Sequence, residues 1–295
     1  TIVDYILQMK HRPSHQKALM FKKQNQWRTY SWSEYFENVL RVASVFLSHN
    51  IQKGDRIAVM SNTRLEWAII DAACLSIGAI LIPIYQTSTS EEVLYILNNS
   101  EPKILVIENQ AAVRTYDKIK SKVINPLMCI LLEEAKEILF QSLSWNEVLS
   151  LGMQKKDEQS TEFFRRANSI TKNDIATILY TSGTTGVPKG VVLTHTQILS
   201  EVSDAFPLLS ATADDIALSF LPYSHILGRI EIWGHIFTGH TLAFAESLEK
   251  IKQNMVEIRP TFMIAVPRIF EKIYAGVLTQ VGTNSIKSKL FHWAL

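Results

Sequence analysis

Short apolar segments alternate with helical patterns along most of the chain, and this alternation constrains the fold more than any other feature. Tyr35, Phe36, Val39, Leu40, Ala43, Phe46 and Leu47 recur at three-and-four spacing after Ser33, which predicts an amphipathic helix. Lys53-Gly54-Asp55 marks a turn, and Arg56–Met60 reads as a short buried strand. Asn62 or Thr63 can cap a helix over Leu65–Ile77, which Gly78 ends. Residues 79–82 predict a second strand, stopped by Pro83, and Ser90-Glu91-Glu92 opens a third helix through Leu97. Ile104–Ile107 and residues 127–132 read as further strands. Strands that take turns with helices need crossover connections, so the expected fold class is α/β with a mostly parallel sheet.

Residues 151–173 are more polar, with Gln154-Lys155-Lys156-Asp157-Glu158-Gln159-Ser160 at their centre, and read as a surface connection between two lobes. The expected organisation is a first α/β lobe over residues 1–160 and a second, incomplete one over 161–295. The second repeats the theme. Strands are predicted at 175–180, 191–193, 216–220, 241–244 and 261–265, and helices from about Thr196, at 227–237, at 248–258 and at 267–277. Pro267 suits a helix N-terminus, where its missing N–H costs little.

Composition supports this without pointing to a partner. The 295 residues are 47% hydrophobic, enough for a large core. Thirty basic residues against 28 acidic ones leave a formal charge of +2, so no nucleic-acid partner is expected. Thr1 to Tyr5 lack the basic-then-apolar pattern of a signal peptide. The most membrane-like stretch, residues 67–85, is interrupted by Asp71, Ser76, Gly78 and Pro83, and stays short of the roughly 18 apolar residues of a spanning helix. Cys74 and Cys129 show no CxxC spacing and read as reduced core thiols of a cytosolic protein.

The segment that carries chemistry is Tyr180-Thr181-Ser182-Gly183-Thr184-Thr185-Gly186-Val187-Pro188-Lys189-Gly190. Its glycines let the backbone approach a ligand closely. Its hydroxyls and free N–H groups can donate to phosphate oxygens, and Lys189 adds a positive charge. The loop therefore suits the β- and γ-phosphates of a nucleotide. It is not a Walker A loop, because Pro188 precedes the lysine, Gly190 follows it, and the next element reads as a strand. No GxGxxG and no GxSxG is present, so Ser182 is a poor hydrolase nucleophile. The plain alternative is a flexible polar hairpin.

Together with Leu193-Thr194-His195, this segment resembles the phosphate-loop signature of the adenylate-forming superfamily, which includes acyl-CoA synthetases, luciferases and peptide-synthetase adenylation domains. Residues 61–67 through 79–85 are similar to that family's N-terminal helix–strand unit, and residues 221–229 (LPYSHILGR) to its next core motif. Val266-Pro267-Arg268-Ile269-Phe270-Glu271-Lys272-Ile273 resembles a segment of the long-chain fatty acyl branch. The resemblance implies two lobes of an acyl-CoA synthetase N-terminal domain and a two-step reaction. A fatty-acid carboxylate attacks the α-phosphate of ATP, and the thiol of coenzyme A then takes the acyl group and releases AMP. It assigns Thr181, Ser182, Gly183, Thr184, Thr185, Gly186 and Lys189 to the phosphates, Thr184 to Mg²⁺, and His225 to the carboxylate and adenylate pocket, with Lys189 and His225 catalytic. Tyr223, Ile226, Trp233 and Phe237 are candidates for an acyl channel, with core packing as the alternative. His235, His240 and the pairs Glu91-Glu92, Glu133-Glu134 and Asp214-Asp215 read as structural.

The family's downstream Tyr-Gly-x-Thr-Glu and Tyr-x-Thr-Gly-Asp segments, and its small C-terminal domain, find no match after Gly190. The expectation is an N-terminal portion that works with a missing C-terminal half and is inactive alone. The acceptor alternatives are coenzyme A and acyl carrier protein. A phosphate-binding piece without catalysis is the reading from a different class. The expected place is the cytoplasm, with peripheral contact to a membrane where fatty acids arrive.

Overall fold

The computed structural model describes residues 1–124, 128–181 and 188–281. The chain begins with α1 (Ile2–Gln8), the hairpin β1 (Lys17–Lys23) and β2 (Gln26–Ser31), and α2 (Trp32–Ser48). Then come β3 (Arg56–Met60), α3 (Leu65–Ile77), β4 (Ile80–Ile84), α4 (Ser90–Ser100), β5 (Ile104–Ile107), α5 (Gln110–Asp117), β6 (Met128–Leu131) and β7 (Ser142–Ser144). After α6 (Trp145–Ser169) follow β8 (Ile175–Thr181), β9 (Lys189–Thr194), α7 (His195–Leu208), β10 (Ile216–Ser219), α8 (Ile226–Thr238), β11 (Thr241–Phe244), α9 (Ile251–Ile258) and α10 (Pro267–Val281). Thr1–Phe262 form one compact unit, and a second begins at Met263 and contains α10.

The first unit holds two sheets. One has seven strands in the order β7-β6-β5-β3-β4-β8-β9, parallel throughout except for the final antiparallel pair. The other has the order β10-β11-β1-β2. Both draw strands from either side of residue 160, and residue 160 itself lies inside α6. The parallel α/β core expected from the alternation is therefore present. The segment expected as a surface connection is mostly α6, which packs on α2 through Phe163 and Phe164 against Phe36. Its buried positions Val148, Gly152, Phe163 and Ala167 are too sparse to stand out among polar neighbours.

Two strand expectations need correction. Pro83 lies inside β4 instead of ending it, opposite Val59 of β3. Backbone groups of alternate residues point to the same neighbouring strand. Leu81 faces β8, where its carbonyl accepts from the Thr177 hydroxyl at 2.6 Å. Pro83 shares that parity, and the β4–β8 register is the single pair Leu81–Thr177, so its missing N–H removes no ladder bond. Residues 261–265 do not form a strand beyond one bridge, Ala217 to Phe262. The Thr261 hydroxyl, in place of a main-chain group, accepts from the Ile216 N–H at 3.0 Å and so competes with the ladder.

Helix α3 is apolar all round and is buried from Trp67 to Ile77. Gly78 closes it at φ +74°, a left-handed position that favours glycine. Helices α2 and α8 touch the four-stranded sheet, while α3 touches α2 and the seven-stranded sheet. Cys74 and Cys129 are buried and form no disulfide, and burial pushes the Cys129 thiol up to about 12. No described helix is long and apolar enough to cross a membrane.

Candidate active site

The site forms where the parallel strands end. A cavity of about 480 Å³ lies at the C-terminal ends of β4 and β8, lined by Pro83, Tyr85, Leu179, Tyr180, Thr181 and Pro188. Thr87, Ser88, Glu92 and Ile96, around the start of α4, and Ser224, His225 and Ile226, at the start of α8, complete it. In open α/β sheets, ligands bind beyond the carboxyl ends of strands, and helix N-termini there favour anions.

Strand β8 reaches this place by its β-branched and aromatic sequence Ile175-Ala176-Thr177-Ile178-Leu179-Tyr180-Thr181. Its partner β9 returns antiparallel, with Thr181 opposite Lys189 and Tyr180 opposite Gly190. Gly190 is needed in that register. A Cβ there would sit 2.9 Å from Ile178 Cγ2 and 3.4 Å from Tyr180 Cζ. The ring of Tyr180 is thereby left free to reach Asn99, to whose Oδ1 its hydroxyl donates at 2.6 Å. The phosphate-loop candidates thus divide. Thr181 and Lys189 face each other at the base of the hairpin, both exposed, while Ser182, Gly183, Thr184, Thr185 and Gly186 lie outside the described residues.

His225 arrives from another direction. It is the N-cap of α8, and its Nδ1 accepts from the Leu227 N–H at 3.3 Å. That bond places the ring proton on Nε2, so an exposed His225 presents an N–H donor beside a helix N-terminus. The turn that leads into it is held from the other half of the chain, since the Thr63 hydroxyl donates to the Leu221 carbonyl at 2.5 Å. Burial raises the Tyr85 phenol above its ordinary range, opposed by the Ser224 hydroxyl. Burial likewise raises Tyr180. Both phenols stay protonated near neutral pH and can donate.

The acyl-channel candidates separate as well. Ile226 lines the cavity. Tyr223 and Trp233 are buried in the core, bonded to Ser219 at 2.9 Å and Asp71 at 2.9 Å respectively. Phe237 packs on Tyr5, with ring centroids 4.9 Å apart. Among the described residues no group of three or more His, Cys, Asp or Glu could hold a metal ion. A larger cavity, about 570 Å³, lies along the start of α3, and its charges are occupied with one another. Arg64 pairs there with Glu66 and Glu133 at 2.7 and 2.6 Å, and Lys22 with Glu246 at 3.0 Å. The smaller cavity is the one lined by the described ends of the hairpin, Thr181 and Pro188, together with the α8 N-cap.

Sequence reasoning missed what lies beneath that cavity. Asp71 and Arg229, both fully buried, form an ion pair at 2.6 Å. Arg229 is stacked between Trp67 and Trp233, at 4.8 and 4.6 Å. Asp71 showed in the sequence only as a break in an apolar run. A lone carboxylate there implied a buried cation, without saying which.

A family model for AMP-binding enzymes matches residues 7–290. The chain belongs to that family. It is 30% identical over 269 residues to the long-chain-fatty-acid–CoA ligase FadD15 of Mycobacterium bovis, covering 90% of this chain and 43% of that protein. It is 32% identical over 292 residues to the long-chain-fatty-acid–CoA ligase ACSBG2 of Gallus gallus, covering 94% of this chain and 37% of that protein. The chain therefore spans less than half the length of these curated relatives. The inhibitor-bound N-terminal domain of FACL13 from Mycobacterium tuberculosis shares the fold, with a TM-score of 0.75, 23% identity and coverage of 92% of this chain and 64% of that one. The α/β class and the family resemblance read from the sequence are both upheld.

Proposed function

We propose that this chain supplies the phosphate-binding half of an ATP-dependent long-chain fatty acid–CoA ligase. The observation that carries the reading is the meeting, in one cavity, of Thr181 and Pro188, at the described ends of the hairpin, and the α8 N-cap His225. In the proposed reaction a fatty-acid carboxylate attacks the α-phosphate of ATP, giving an acyl-adenylate and pyrophosphate. Coenzyme A then takes the acyl group. Negative charge is the obstacle in the first step, because an anion approaches a polyanion and charge grows on the leaving pyrophosphate. Fixed donors and cations address both. Lys189 and Thr181, with the loop residues Ser182 to Gly186, hold the β- and γ-phosphates. The Nε2–H of His225 orients the carboxylate or the adenylate oxygen. A Mg²⁺ ion would be carried on the phosphates and neutralise their charge, with Thr184 as its loop contact, since the described residues offer no carboxylate cluster for it.

Long-chain specificity rests on the segment Val266 to Ile273 and on the names of the relatives. In the longer protein that carries the downstream motifs, C12–C18 acids should outcompete acetate and aromatic acids in pyrophosphate exchange, and the reverse order would overturn that specificity. The 295 residues alone should show no palmitate-dependent exchange of pyrophosphate into ATP. Clear turnover by them would sink this division of labour. Peripheral membrane contact in the cytoplasm, as the route by which fatty acid reaches the cavity, belongs to the same proposal.

A further inference from the structure

One buried side chain ties α8 to α3 and to β8, and of these α8 and β8 end in the cavity. Arg229 lies one turn into α8, the helix that His225 caps. Its Nη2 donates to Asp71 Oδ1 of α3 at 2.6 Å, and its Nη1 to Thr177 Oγ1 of β8 at 3.3 Å. The Thr177 hydroxyl passes the connection on, donating to the Leu81 carbonyl of β4 at 2.6 Å. Leu81 and Thr177 are the one registered pair joining β4 to β8. Beyond that pair, β4 leads to Tyr85, β8 leads to Tyr180 and Thr181, and α8 leads back to His225.

We infer that the Asp71–Arg229 pair is a positioning device, which fixes the spacing between the His225 wall and the Tyr180–Thr181 wall of the cavity. This rests on the reading of that cavity as the adenylation site. Stability alone is a poor reason for the pair. Replacing a buried ion pair with well-packed neutral groups is often neutral or favourable. Burial works against the charge on both partners, and Arg229 Nε has no hydrogen-bond partner at all. What the guanidinium offers that an apolar side chain cannot is a planar fork, which bonds a carboxylate on one element and a hydroxyl on another. Trp233 Nε1 donates to Asp71 Oδ2 at 2.9 Å and fixes the carboxylate in turn.

The test uses the full chain labelled with 3-fluorotyrosine, with the Tyr85 and Tyr180 resonances assigned through Tyr85→Phe and Tyr180→Phe. The double variant Asp71→Asn, Arg229→Met removes both charges and keeps an acceptor for Trp233. It should unfold within a few degrees of the unaltered protein, yet broaden or split both resonances and bind Mg·ATP roughly tenfold more weakly, as a loosened wall demands. Arg229→Lys keeps the charge but not the fork, and should shift the same resonances; it decides the matter if the double variant does not fold. Unchanged Tyr85 and Tyr180 resonances in the folded variants would overturn the inference. If the resonances respond but the unaltered chain binds no Mg·ATP, the positioning stands and the adenylation reading fails.

Discussion

The rim of the cavity and the core beside it share one helix, α8, yet they solve opposite problems. At the rim, His225, Thr181 and Lys189 are exposed, and their side chains donate to no partner among the described residues. From one turn on, Arg229, Glu231, Trp233 and His235 are fully or almost fully buried, and each bonds a buried partner through at least one polar atom. The rim can be altered one residue at a time without unfolding the protein, whereas in the core the removal of one partner leaves the other buried and uncompensated. Chemistry at the rim is held in place by electrostatics in the core.

The comparison is broken most forcefully by a single substitution in the core. Arg229→Met leaves Asp71 buried and unpaired, and should cost about 3–5 kcal/mol in urea unfolding. A loss below about 1 kcal/mol would show that the pair is not buried in the way its geometry requires.

The next effect is in pH. Burial pushes His195 and His240 down to about 4 and His235 well below its ordinary 6.5, so the folded state holds all three neutral. Each binds a proton more readily when unfolded, and stability should rise with pH between about 4 and 6.5, by up to about 3 kcal/mol per histidine. Glu231 acts in the other direction. Burial lifts it to about 8, against the Ser219 hydroxyl that donates to it at 2.5 Å. Its contribution is complete below its ordinary 4.5 and is lost as pH climbs through 8. Stability measured by denaturant should therefore peak near pH 6.5 and fall toward pH 8. Glu231→Gln should flatten the alkaline side and steepen the rise between about pH 4.5 and 6.5; an unchanged alkaline fall would exonerate Glu231.

The smallest effect sharpens the comparison at the rim. Thr89 caps α4 beside the cavity, accepting from the Glu92 N–H at 3.2 Å while the Glu92 carboxylate accepts from the Thr89 N–H at 2.8 Å. Thr89→Ala should cost about 1 kcal/mol in thermal or denaturant unfolding. A cost above 3 kcal/mol would mean that the rim is as tightly coupled as the core.

The buried parallel strands were legible in the sequence. Arg56–Met60, Ile104–Ile107 and Thr241–Phe244 are continuous apolar runs because both faces are covered. The β1–β2 hairpin was not, since its outer positions are polar and its turn uses Gln24 and Asn25, both at positive φ, where a glycine would have signalled it. Around the cavity, unusual residue types on loops announced themselves, and so Lys189 and His225 were candidates from the sequence alone. The Asp71–Arg229 pair was invisible because its members stand far apart in the chain and each, alone, looks like an interruption of an apolar pattern.

The central claim is that the hairpin Thr181–Lys189 binds the phosphates of a nucleotide. Calorimetric titration of the chain with Mg·ATP, beside Lys189→Ala, tests it directly. The account predicts binding that Lys189→Ala weakens at least about tenfold, the loss of one charge-assisted contact, with no change in unfolding temperature. Failure of the unaltered chain to bind Mg·ATP, or binding indifferent to Lys189→Ala, would contradict it.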